Sequence, residues 1–204
     1  MRDTCLVVVD VQNDFIPGGA LAVPRGDEVV PMINRLVGRF DNVVLTQDWH
    51  PRRHASFASA HSGKKPFETI ELAYGQQVLW PDHCVQGTSG AAFHPDLDVT
   101  KAQVVIRKGH HRDIDSYSAF LEADRKTATG LAGYLKERGL ARLFVCGLAT
   151  DFCVAWTALD ARAAGFDTTV IEDASRAIDL EGSLSRAWAD MTAAGVKRIS
   201  SGQL

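Results

Sequence analysis

The sequence predicts a single α/β domain over residues 1–204, a doubly wound, mostly parallel sheet with helices on both faces. Three observations predict it. Short apolar runs such as Leu6-Val7-Val8-Val9 carry no polar residue, the pattern of a strand buried on both faces. Such runs alternate with amphipathic helical stretches that stop at glycine. Reactive residues stand just past the ends of the runs, where open parallel sheets bind ligands.

In chain order, the first strand ends at Asp10, and Pro17-Gly18-Gly19 signals a loop. Asp27 is placed to cap a helix whose apolar face carries Ile33, Leu36, Val37 and Phe40. A second strand, 42–46, ends near Asp48. From Trp49 to about residue 100 regular patterning lapses, with several Pro, Gly and His residues. So long an irregular stretch in a compact domain is usually functional, and 49–101 is expected to form a metal-binding and lid segment. Alternation resumes with a strand at 103–107 ending at Lys108 and a helix at 129–138 stopped by Gly139. A strand follows at 143–146, then a helix over 151–164 stopped by Gly165, with Phe152, Ala155, Trp156 and Leu159 inward. A strand at 168–171, a helix at 183–194 and a last strand at 196–200 complete the pattern.

Composition narrows the function. A net charge of −3 gives no basic footprint for nucleic acid. Five apolar residues, Cys5 to Val9, are too short for a signal peptide or a membrane span, so a cytoplasmic location is expected. The four cysteines lack CxxC pairing, which fits reduced thiols. No GxGxxG turn follows the first strand, so dinucleotide binding lacks its fingerprint.

Asp10, Asp48, Lys108 and Cys153 converge on one sheet edge. Each alone reads as a strand-end salt bridge or a structural cysteine; together they suggest nucleophilic catalysis. Cys153 sits in the first turn of a helix, where the dipole lowers a thiol pKa and free N–H groups can hold an oxyanion. Asp10 is then the candidate base and Lys108 its electrostatic partner. In extended backbone Asp48 and His50 point the same way and can share a cation, with His83 the best-placed third ligand. One carboxylate and two imidazoles suit one divalent ion, Zn, Fe(II) or Mn. His54 and Cys84 stand as further ligands or bystanders; His61, His94, His110 and His111 read as loop residues. Phe15, Trp80 and Tyr117 can line a slot for a flat ring. Trp49 reads as packing.

These residues resemble a known pattern. Val8-Val9-Asp10-Val11-Gln12-Asn13-Asp14-Phe15, Gln47-Asp48-Trp49-His50-Pro51, Trp80-Pro81-Asp82-His83-Cys84-Val85-Gln86-Gly87-Thr88, Lys108-Gly109 with Tyr117-Ser118-Ala119-Phe120, and Gly147-Leu148-Ala149-Thr150-Asp151-Phe152-Cys153 run in the order found in the nicotinamidases (pyrazinamidases) of the isochorismatase-like cysteine hydrolases. The resemblance covers nearly the whole chain. It implies hydrolysis of nicotinamide, and of pyrazinamide, in pyridine-nucleotide salvage. By that resemblance Asp10, Lys108 and Cys153 are catalytic, and Asp48, His50 and His83 hold a metal that binds the pyridine nitrogen. Phe15 and Trp80 sandwich the ring, with Tyr117 closing the pocket. A cis peptide at Leu148–Ala149 turns the Ala149 and Cys153 N–H groups into an oxyanion hole. A homodimer is the expected assembly. Alternatives are, within the superfamily that the chain resembles, an amidase for carbamoyl or ureido groups or an isochorismatase and, from another class, a non-catalytic metal- or ligand-binding module or a thiol redox sensor.

Overall fold

The computed structural model describes residues 3–204. Strands β1 (Thr4–Val9), β2 (Val43–Asp48), β5 (Ala102–Lys108), β6 (Arg142–Leu148), β7 (Asp167–Arg176) and β8 (Lys197–Ile199) form one sheet. Their order is β5-β2-β1-β6-β7-β8, and every neighbouring pair is parallel. The order reverses between β1 and β6, and this crossing point is where such sheets bind ligands.

Helix α1 (Val29–Val37) packs on one face, and α2 (Leu131–Glu137), α3 (Ala155–Ala163) and α4 (Ser183–Ala193) on the other. The alternation of β1 divides the core: Leu6 and Val8 join the α1 cluster, while Cys5, Val7 and Val9 join the opposite one. Every β1 and β2 residue is buried. Each such aliphatic side chain contributes roughly 1.5–3 kcal/mol by leaving water. Edge strand β5 instead alternates exposed and covered residues. At the sheet centre Gly147 has φ +120°, and a Cβ there would lie 2.2 Å from the Val9 carbonyl oxygen. Only glycine lets β6 pass β1 that closely.

Several local expectations change. Asp27 makes no side-chain cap; a 3-10 turn over Gly26–Glu28 leads into α1 instead. The helix expected over 151–164 has no side-chain cap. That helix opens with a π turn over Thr150–Val154, in which Val154 N–H donates to the Ala149 carbonyl. The extra residue rotates the buried face, so Val154, Ala158 and Ala161 turn inward and Trp156 is 40% exposed. The irregular segment also contains an antiparallel hairpin, β3 (Thr69–Leu72) with β4 (Gly75–Val78). Among the described residues no helix is long and apolar enough to cross a membrane.

Candidate active site

Asp10 is the first residue past β1 and has a left-handed backbone, φ 49°, which aspartate tolerates better than most residues. Thr46 of β2 fixes it on both sides. The Asp10 N–H donates to Thr46 Oγ1 at 3.1 Å, and that hydroxyl donates to Asp10 Oδ1 at 2.6 Å. Asp10 Oδ2 lies 2.8 Å from Lys108 Nζ but has no directed hydrogen bond. That oxygen therefore keeps capacity to take a proton.

Lys108 closes β5 with its whole side chain buried. Its Nζ donates to Asp48 Oδ1 at 2.9 Å, to the Ser116 carbonyl at 3.0 Å and to Cys153 Sγ at 3.5 Å. One ammonium thus joins both carboxylates and the thiol. Burial works against its charge, but Asp10, Asp48 and Cys153 more than offset that and raise its pKa. Burial raises Asp10 above the usual carboxylate range, against the pull of Lys108.

Cys153 is 7% exposed. Burial pushes its thiol well above the ordinary value; Lys108 lowers it, while Asp10 and Asp48 raise it. The expected lowering by a helix end is overturned. Desolvation beside two carboxylates outweighs a dipole that a π turn begins. The resting group is a thiol, and its activation needs a base. Cys5, Cys84 and Cys146 are also free, buried thiols. Between Cys153 and β6, the Leu148–Ala149 peptide is cis, as the family pattern implies. Asp151 anchors this turn from the far side. It accepts the N–H groups of Ile178 and Asp179 at 3.1 and 2.7 Å and the Ser183 hydroxyl.

The imidazole half is assembled differently. His50 N–H donates to the Cys84 carbonyl, and Gln86 N–H to the His50 carbonyl, a short parallel bridge. A second bridge pairs Phe57 with Trp80. These stitches lay residues 80–86 along 49–58 and bring His83 to Asp48. Gln12 then clamps Asp48, donating to its carbonyl at 2.8 Å and accepting its N–H at 2.7 Å. Asp48 Oδ2 lies 2.8 Å from His50 Nε2 and 3.3 Å from His83 Nε2. The other ring nitrogens are held by carbonyls, His50 Nδ1 by Gly109 at 3.0 Å and His83 Nδ1 by Pro81 at 2.8 Å. That leaves both Nε2 atoms aimed at the carboxylate, and one ligand atom from each residue lies within 4.8 Å of the others. This donor set with outer carbonyl support fits a divalent ion. Burial raises Asp48, but His50, Lys108 and the imidazole hydrogen bonds hold its carboxyl well below the usual range.

His54 stacks on His50, ring centres 4.3 Å apart, and makes a second candidate ligand group with His50 and Asp115. Its Nδ1 accepts from Ser56 N–H and lies 2.7 Å from Ser56 Oγ. Its Nε2 lies 2.9 Å from the His111 carbonyl and 3.1 Å from that of Ile114. Burial, then His50, holds its pKa down to about 4. Cys84 packs in the core with its N–H on Asp14 and joins no ligand cluster among the described residues.

Cys153 from the thiol half and Asp48, His50 and His83 from the imidazole half line one pocket, while Asp10 and Lys108 are fully buried. Phe15 and Trp80 line it too, Phe15 against His83 and Trp80 edge-on to Phe152. Tyr117 also faces it, and its hydroxyl accepts from Trp80 Nε1 at 3.0 Å. Trp49 packs against the core, with Arg107 4.0 Å above its ring. A wider groove opens beside the pocket, between the β3–β4 hairpin and helices α3 and α4, but holds neither thiol, lysine nor imidazole. Sequence reasoning missed Asp115, a buried carboxylate of the pocket wall grouped with His50 and His54. It accepts from Gln77 Nε2 at 2.7 Å. The only signal for it was an acid beside Ser116-Tyr117-Ser118.

A family model described as the Isochorismatase domain matches residues 4–203. The nicotinamidase of Acinetobacter baylyi is 64% identical over 200 residues, covering 98% of this chain and 94% of that protein. A solved nicotinamidase and pyrazinamidase of Acinetobacter baumanii superposes with a TM-score of 0.99 at 64% identity, over 100% of this chain and 98% of that one. The pyrazinamidase of Pyrococcus horikoshii, solved in complex with zinc, gives 0.79 at 38% identity, over 97% and 99% of the two chains.

Proposed function

The chain belongs to the isochorismatase domain family, and from that premise we propose that it is an amidohydrolase that converts nicotinamide to nicotinate and ammonia. The observation that carries the reading is that Lys108 links Asp10 and Asp48 to Cys153, whose thiol shares one pocket with Asp48, His50 and His83. A thiol with a base beside it attacks carboxamides; an adjacent imidazole-carboxylate set and aromatic walls suit a flat heteroaromatic ring. Pyrazinamide, with the same carboxamide on a similar ring, is a second substrate.

Asp10 takes the Cys153 proton, and the sulfur adds to the carboxamide carbon while Lys108 steadies the negative charge. The Ala149 and Cys153 N–H groups hold the oxyanion. The C–N bond breaks as Asp10 returns the proton to nitrogen, releasing ammonia and leaving a thioester. Water then gives a proton to Asp10 and adds to the thioester. The C–S bond breaks, nicotinate leaves, and sulfur regains the proton. Asp10's raised pKa suits a group that must both take and return a proton near neutral pH. Phe15 and Trp80 sandwich the ring, Tyr117 closes the pocket, and segment 49–101 serves as metal-binding and lid segment. Asp48, His50 and His83 hold one divalent ion, zinc, iron(II) or manganese. When bound, it supplies an anchor for the pyridine nitrogen and, as a Lewis acid, draws electron density from the ring.

The test is ammonia release from nicotinamide by purified protein as isolated, after chelation and after metal add-back. Activity that falls and returns supports the reading. Folded protein that releases none in any of the three states contradicts it.

A further inference from the structure

We propose that His110, His111 and Glu122 form a second divalent-metal site, for an ion of the zinc, nickel or copper class, on the outer side of the loop that leaves β5. His111 Nδ1 lies 2.7 Å from Glu122 Oε2, and His110 Nδ1 lies 3.9 Å from Oε1. The two ring centres are 4.1 Å apart. One donor atom from each residue lies within 4.8 Å of the others. Donors sharing one tetrahedral ion at roughly 2.0–2.1 Å stand about 3.3 Å apart, so small side-chain rotations complete the set.

The setting separates this cluster from an ordinary surface ion pair. Glu122 is 1% exposed, while the two imidazoles are 49% and 47% exposed. A buried carboxylate forms the floor, and two solvent-facing imidazoles form the arms. The carboxylate is fixed by its backbone, whose N–H donates to the Thr127 carbonyl and whose carbonyl accepts from Arg125 N–H. Its ion-pair partners among the described residues are the two imidazoles alone. One protonated imidazole would satisfy the carboxylate; two protonated rings this close would repel. A single divalent ion satisfies both rings and the carboxylate, with its remaining position open to water. Imidazole nitrogen favours copper, nickel and zinc over manganese or magnesium.

The site is distinct from the pocket but shares its backbone. The carbonyl of Gly109, one residue before His110, accepts from His50 Nδ1, and the His111 carbonyl contacts His54 Nε2. An ion on the outer face therefore sits on the same loop whose carbonyls contact the inner imidazoles.

Zinc uptake by the untagged full-length protein tests this, with equilibrium dialysis and elemental analysis as the readout. The proposal expects about two zinc ions per wild-type chain, and about one in a His110→Ala/His111→Ala variant that keeps its nicotinamide turnover within about twofold. Asp48→Ala should lose the inner ion and keep the outer one. Glu122→Gln, which keeps the shape and removes the charge, should weaken the outer ion by about tenfold or more. A wild-type chain holding one ion that persists in Asp48→Ala and disappears in the double variant would support the outer site while refuting the inner one. Wild-type uptake of one ion that Asp48→Ala abolishes, or equal uptake by wild type and the double variant, would overturn the proposal.

Discussion

The two halves of the pocket are built by different means. The thiol half comes from strand ends: Asp10 after β1, Lys108 at the end of β5 and Cys153 in the turn beyond β6. The sheet alone brings them together, and all three are fixed by deep burial. The imidazole half takes Asp48 from a strand end, but His50 and His83 come from an irregular segment held by backbone bridges and carbonyl contacts. Lys108 and Asp48 are the joint between them. A regular sheet can place a reactive group without local help, whereas a loop ligand needs a chain of hydrogen bonds to aim each ring. The thiol half is accordingly expected to set the rate and the imidazole half to hold the substrate.

Breaking the thiol half should have the largest effect. Asp10→Asn keeps the shape but removes the base, so kcat should fall by about 10²–10⁴-fold. Metal content and nicotinate affinity, measured on the same preparation, should stay near wild type. Asp48→Ala attacks the joint from the other side. It should lose the ion and raise KM by about tenfold or more, read by elemental analysis and steady-state kinetics. It also leaves Lys108 with one carboxylate fewer, so a drop of roughly 3–5 kcal/mol in stability is expected from denaturant unfolding.

Gly109→Ala sharpens the comparison, because the added methyl collides first with one ring of the imidazole half. Gly109 has φ +66°, and a Cβ there would lie 2.5 Å from His50 Cε1. Metal affinity should fall by about 10–100-fold, with the Cys153 half intact. Competition with a chromophoric chelator measures it.

The smallest effect concerns His54, which stacks on His50 in the imidazole half. Its folded pKa is about 4, against 6.5 as the ordinary value. A depressed histidine binds fewer protons folded than unfolded, so its stability contribution is present above pH 6.5 and is lost as pH falls toward 4. The loss amounts to at most about 3 kcal/mol. His54→Gln should flatten the dependence of the urea midpoint on pH across that window.

Much of the fold was legible because strand periodicity and terminal glycines fix where strands and helices end. Asp10, Asp48, Lys108 and Cys153 follow directly from that pattern. His83 was legible only as a loop histidine in a specific motif. Its approach to Asp48 depends on the bridges of His50 with Val85 and Phe57 with Trp80, which no periodicity announces. Asp115 left almost no signal, since a single acid in a loop does not reveal that it will be buried. The thiol pKa went the wrong way because a helix-end argument counts dipoles and not the carboxylates that tertiary packing adds. Trp156 turned outward because a π turn adds one residue that sequence periodicity does not contain.

The most direct test of the division between the halves is ammonia release by Cys153→Ala, with metal content and nicotinate binding measured on the same protein. The expected result is a kcat at least about a thousandfold below wild type, with about one inner ion and nicotinate affinity retained. A Cys153→Ala protein that still releases ammonia at near the wild-type rate would contradict the account.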